Sequence, residues 1–184
     1  MAPPISNAHL AMAIFIGAEL MLFTGLMGAH VFLRYGGSEW PPAGQPRLAV
    51  AATAANSVAL LLSALTMRGA WAGFRSGSRR RLRRNLALTA GLGAVFLALQ
   101  GREWLRLVAH GLSLGSAYGS TFAALIGLHG LHVLGAVAWL LLVLWKSARW
   151  RYSARRHVEA ELCAMYWMFV CGLWILLFGL VYLG

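Results

Sequence analysis

A carboxyl or imidazole inside a long apolar run is costly to keep at membrane depth, so each one is a functional candidate. The first apolar run of this chain carries Glu19 and His30, and a later one carries His129 and His132 within GLHGLHVLG. Glu19 sits about ten residues into its run, roughly 15 Å of helix rise. An ionised carboxylate at that depth needs a partner or water. Two readings stand level: a proton-linked or lipid-contacting carboxyl, and a neutral acid hydrogen-bonded to a neighbouring helix. His129 and His132 are three residues apart and so share a helical face. Two histidines can ligate haem or a metal, which makes a haem-binding membrane cytochrome b one reading, with His30 completing the set. Bis-histidine haem usually takes its ligands from different helices, however, and no interior histidine faces His30 from a clear partner helix. Structural, hydrogen-bonding histidines are the favoured reading. His157 and Glu161 are four apart at the start of the last run and fit a local His–Glu contact. Asn56 is a further structural polar residue at membrane depth. The chain has no Cys-rich copper motif, nucleotide loop or HExxH zinc motif. No catalytic constellation, cofactor or metal site is therefore expected within it, although a proton channel built around Glu19 is conceivable.

The elements that must position these groups are membrane helices. Hydrophobic residues make up 60% of the chain and charged residues 11%, where a soluble domain carries about a quarter charged residues. So little polar surface could not cover a globule in water. Spans are expected at about 10–33, 48–72, 85–107, 118–145 and 159–183, each near the ~20 residues a bilayer crossing takes. Helices are the default, because open strands leave backbone groups unsatisfied in lipid. The expected fold is all-α, five transmembrane helices in one bundle, with residues 1–184 forming a single membrane domain. No segment reads as a cleaved signal peptide.

The net charge of +11 does not point to nucleic acid, because the basic residues cluster between apolar runs and follow no RNA-binding or zinc-finger pattern. Arg68, Arg75, RRRLRR (79–84) and the Lys146–Arg156 stretch place twelve of the sixteen Lys and Arg on one side. Arg34, Arg47, Arg102 and Arg106 lie on the other. The positive-inside rule then puts the N-terminus in the cytoplasm and the C-terminus outside. Tyr35, Trp40, Trp104, Tyr118 and Tyr182 read as an outer aromatic belt, and Trp71, Trp145, Trp150 and Tyr152 as an inner one. Small residues four apart (Gly25/Ala29, Ala87/Gly91, Ala123/Gly127, Ala160/Ala164) permit close helix approach. Cys163 and Cys171 lie about 12 Å apart along one helix, too far for a disulfide, and read as small buried hydrophobes.

Several segments, in order, resemble one family. FIGAELMLFTG (15–25), WPP (40–42) followed by Asn56-Ser57, LQGREW (99–104), YGSTFAALIGLHGLHV (118–133), His157-x-x-x-Glu161 and Tyr166-Trp167-x-Phe169-Val170 resemble subunit III of the haem–copper terminal oxidases. The resemblance covers about residues 15–184 and looks like the short, five-span bacterial form. It implies a supporting subunit of a cytochrome c oxidase-type complex in a bacterial cytoplasmic membrane. Subunits I and II and membrane lipids would be its partners, haem and copper would reside in the partner subunits, and bound phospholipid is possible. A quinol oxidase or nitric oxide reductase carrying the same scaffold is the alternative. By resemblance Glu19 matches the family's buried glutamate, and His129 and His132 match histidines that are not metal ligands.

Two departures stand out. Many members read Trp-His-Phe-Val-Asp where this chain reads Trp167-Met168-Phe169-Val170-Cys171, and the joint loss suggests that the two polar residues once formed one interaction. The family's first two helices have no counterpart here. An extended subunit I, or lipid alone, is expected to fill that side.

Overall fold

The computed structural model describes residues 7–36, 39–149 and 157–184. Among them it is all helical, with no strand, and five helices are long and apolar enough to cross a membrane. Helix α1 spans Asn7–Tyr35, α2 Val50–Arg75 and α3 Arg79–Ala109. The fourth crossing is composite: α4 (Ala117–Phe122) passes through a π-helical turn, Ala123–Gly127, into α5 (Leu128–Arg149). The fifth is α6 (His157–Phe178), finished by a second π turn, Gly179–Leu183.

The crossings fall where hydropathy puts them, but the helices outrun the apolar stretches. Most clearly, the run RSGSRRRLRR, expected as a loop, is mostly helix. Arg75 closes α2, and Arg79 to Arg84 form the first turns of α3. Only three residues make the turn. Gly77 adopts φ +69°, a conformation open to glycine at little steric cost, and the Ser78 hydroxyl accepts the Arg81 N–H at 3.4 Å as an N-cap. Basic side chains extend the helix past the hydrocarbon because their heads reach water while their stems follow apolar surface. Ser116 caps α4 in the same way, accepting the Gly119 N–H at 3.0 Å.

Helices α2 and α3 form a tight hairpin; α6 packs on α2, and α5 on α3 and α6. Two indoles on α6 bond to α2: Trp174 Nε1 donates to Ser57 Oγ at 2.8 Å and Trp167 Nε1 to Ser63 Oγ at 3.1 Å. Polar bonds between buried helices replace the hydrophobic drive that lipid cannot supply. Close approach falls on a different glycine from those in the four-residue pairs. A Cβ on Gly25 or Gly91 would meet nothing within 4 Å. On Gly93 it would lie 2.5 Å from the Trp167 ring and 2.9 Å from Val137, so α3, α5 and α6 meet there. Among the glycines of those pairs Gly127 is the one that lies against a neighbour, the Trp104 ring, 3.3 Å from its virtual Cβ.

Helix α1 stands apart. It contacts α4 and α6, yet only Phe23 and His30 are buried in it, and Met21 and Phe32 are more than three-quarters exposed.

Candidate functional site

The Glu19 carboxylate meets His132 across the α1–α5 boundary, Oε2 to Nε2 at 2.8 Å. Both side chains are about 15% exposed. On the opposite ring edge, His132 Nδ1 lies 2.7 Å from the Leu128 carbonyl. A carbonyl only accepts, so Nδ1 carries a proton and Nε2 is left to share one with Glu19. The two resulting states are a neutral carboxyl donating to imidazole and a carboxylate accepting from imidazolium. Either way the pair is neutral overall and holds one proton between its two heavy atoms. Phe23 caps it edge-on, 5.3 Å from the His132 ring centroid.

His129 and His132 share a helical face but meet different partners. Three residues subtend about 300° at 100° per residue, leaving the side chains some 60° apart, and each finds its own neighbours. His129 is 1% exposed, stacked on Trp174 at 5.1 Å with Phe96 edge-on at 6.3 Å. Neither of its ring nitrogens has a hydrogen-bond partner among the described residues. His30 is buried elsewhere, its Nδ1 3.0 Å from Thr121 Oγ1. The Thr121 hydroxyl proton goes to the Ala117 carbonyl at 2.7 Å, so His30 donates. Trp40 lies edge-on between His30 and Tyr118, at 5.4 and 5.3 Å. No group of three or more His, Cys, Asp or Glu is arranged to hold a metal among the described residues.

Glu161 receives a long-range partner, His9 of α1, at 2.9 Å. His157 opens α6, but its side chain lies outside the described residues, as do Trp150, Tyr152 and the basic residues 151, 155 and 156. Asn56 belongs to a buried chain of amides that spacing alone did not reveal. Its Nδ2 reaches the Phe96 carbonyl at 3.2 Å and Gln100 Oε1 at 3.4 Å, and Gln100 Nε2 donates to Tyr182 Oη at 3.0 Å. Gln100 was legible as an amide inside the third span. Its partner was not, because the π turn at the end of α6 brings Tyr182 to it.

Three members of the expected outer belt turn inward. Tyr118 and Tyr182 are buried, and Trp104 stacks on Phe122 at 5.5 Å. Each hydroxyl has a partner, Tyr118 donating to the Pro46 carbonyl at 3.0 Å, which explains why a buried tyrosine is tolerated. Met168 and Cys171 also have separate surroundings. Met168 is 41% exposed, whereas Cys171 is 2% exposed and lies 3.9 Å from Ser63 Oγ.

Five helices long and apolar enough to cross a membrane define a polytopic membrane protein, with a carboxyl–imidazole pair inside it. The family model for cytochrome c oxidase subunit III matches residues 5–184. Similar proteins include "Cytochrome c oxidase subunit 3" of Synechocystis sp., 37% identical over 92% of this chain and 72% of its own length. The protein of the same name from Thermostichus vulcanus is 32% identical over 95% and 86%. "Probable cytochrome c oxidase subunit 3" of Mycobacterium leprae is 30% identical over 92% and 84%. This chain belongs to the cytochrome c oxidase subunit III family.

Proposed function

We propose that the chain is a supporting subunit of a haem–copper terminal oxidase of the cytochrome c oxidase type, without a redox or catalytic centre of its own. The observation that carries this reading is the family match over residues 5–184. Bacterial relatives support a multi-pass location in a bacterial cytoplasmic membrane, with the Arg-rich α2–α3 turn inside, the N-terminus cytoplasmic and the C-terminus outside. Haem and copper belong to the partner subunits in this reading, with subunits I and II as neighbours and lipid around the rest. The names of the relatives favour cytochrome c oxidase over quinol oxidase or nitric oxide reductase.

Within that role, Glu19 and His132 do two things. They tie α1 to α5, and they hold a shared proton at membrane depth that supports proton uptake by subunit I. The remaining polar residues, His30, Asn56, His129 and Glu161, act structurally. A tagged pull-down in mild detergent tests the reading, with a reduced-minus-oxidised spectrum and identification of the co-purifying chains. A haem–copper subunit I that carries the whole haem signal is the expected result. A haem band that stays with this chain after the others are stripped, and fades on His129→Ala or His132→Ala, would instead make it a cytochrome b.

A further inference from the structure

At the end of the bundle opposite the α2–α3 turn, the loop from α1 to α2 meets the ends of α1, α2, α4 and the fifth crossing around a cavity of about 330 Å³. Arg34 from the last turn of α1 and Arg47 from the loop line it, with Trp40, Leu48, Tyr118 and Val181 as aromatic and apolar walls. That volume is near the bottom of the range for ligand pockets and suits one or two side chains. The walls are helix ends and a loop, not a helix flank, so the cavity belongs to the aqueous end of the bundle and not to the acyl chains.

The loop is pinned at three points. Trp40 stands edge-on to His30 of α1 and to Tyr118 of α4, at 5.4 and 5.3 Å. Gln45 Oε1 accepts the Ser113 N–H at 3.1 Å, and the Pro46 carbonyl accepts the Tyr118 hydroxyl at 3.0 Å. Arg47 therefore follows a fixed residue, and Arg34 stands one turn beyond His30, itself 3.0 Å from Thr121. Neither guanidinium pairs with a carboxylate among the described residues, and Glu103, an acid of this same end, is taken by Arg106. Of the sixteen Lys and Arg, four belong to this end, and two of those line this one cavity. The charge bias that orients membrane helices favours the other end, so the pair does not serve topology. Two cations facing one small space repel each other. Walls that hold them there in advance have already met much of the ordering cost of gripping an anion.

We infer that this cavity receives an acidic side chain, Asp or Glu, from a segment of a neighbouring protein at this face of the oxidase complex, an inference that rests on the supporting-subunit reading. The carboxylate takes Arg34 and Arg47 together, and the Trp40 and Tyr118 rings keep water from its flanks. A carboxylate carried by a docked chain outcompetes a free anion, because the complex holds it at high effective concentration.

Lysine at either position keeps the charge and supplies an amine that a water-soluble carbodiimide joins to a carboxylate in contact with it. Intact complexes carrying Arg34→Lys or Arg47→Lys are treated with the carbodiimide, and cross-linked peptides are identified by mass spectrometry. Both variants should link to one acidic segment of another chain, and the wild type should link at neither position. Arg34→Gln with Arg47→Gln should raise the rate at which this chain leaves the detergent-solubilised complex about tenfold, two charge-assisted contacts having gone. Subunit I that co-purifies with both lysine variants while neither links to another chain would overturn the docking and leave the supporting role standing. If subunit I does not co-purify even with the wild type, role and docking fall together. A link to a phospholipid phosphate, links confined to this chain, or an unchanged dissociation rate in the glutamine variant would each overturn the assignment.

Discussion

Leucine and glutamine at position 19 separate what the Glu19–His132 pair does for α1 from what it does with a proton. Glu19→Leu removes the group that His132 Nε2 bonds among the described residues, 2.8 Å away, while Nδ1 stays on Leu128. Leaving a buried polar atom unsatisfied costs about 1–3 kcal/mol, but hydrogen bonds between helices in lipid average about 0.6 kcal/mol. Both side chains keep some 15% exposure, which places the effect near the low end, about 1 kcal/mol. That is roughly fivefold in the equilibrium for docking α1. The loss falls on a helix with only two buried side chains of its own. Glu19→Gln keeps a hydrogen-bond donor for Nε2 and so should leave docking nearly unchanged, but it has no carboxyl proton to share. The assay is hydrogen exchange across α1 in the intact complex, together with proton uptake and active lifetime. Leucine should raise α1 exchange about fivefold. Glutamine should leave exchange and assembly alone while slowing proton uptake or shortening the active lifetime. Wild-type exchange in the leucine variant would refute the tether, and wild-type uptake and inactivation kinetics in the glutamine variant would refute the proton role.

Three further outcomes are expected. Gly93→Ala drives a methyl into Trp167 and Val137 and should lower the thermal midpoint of the complex by an overpacking cost of about 1–3 kcal/mol; an unchanged midpoint would show that α6 can retreat freely. Tyr182→Phe leaves Gln100 Nε2 without its 3.0 Å acceptor and should cost about 1–2 kcal/mol, an effect that vanishes in a Gln100→Leu background if the bond is its source. Arg80→Cys should react with a membrane-impermeant thiol reagent only after the cytoplasmic face is opened, and Arg106→Cys in intact spheroplasts. The reverse pattern would invert the proposed orientation.

The five crossings were readable because hydropathy senses the same solvent that selects helices. Helix ends were not, because hydropathy marks the apolar slab and not the helix: the arginines at 79–84 are too polar to count as span, yet they are helical. Cross-helix chemistry was hidden for another reason. Glu19 and His132 are 113 residues apart, and a local pattern can say which face a side chain occupies but not what stands opposite. Residue spacing placed His129 beside His132 but could not show that each bonds or stacks with different helices, His132 with Glu19 and His129 with Trp174. Glu161 likewise meets a residue that no local spacing could name, His9 of α1, while the expected contact with His157 lies outside the described residues. Inward-facing tyrosines misled the aromatic reading, since sequence cannot tell a ring anchored in headgroups from one hydrogen-bonded across the bundle.

The polar contacts of α1 also fix its register. His9, Glu19 and His30 bond to three different partners, and by residue number they fall about 15 and 16 Å apart along the axis. Together they span about 31 Å, close to the thickness of the hydrocarbon. A helix with few buried side chains could slide or rotate against smooth apolar neighbours at little cost. In this one a shift of one turn, about 5.4 Å, breaks all three contacts together. The least-packed crossing of the bundle thus has its register set by polar contacts spread along its whole length rather than by buried area.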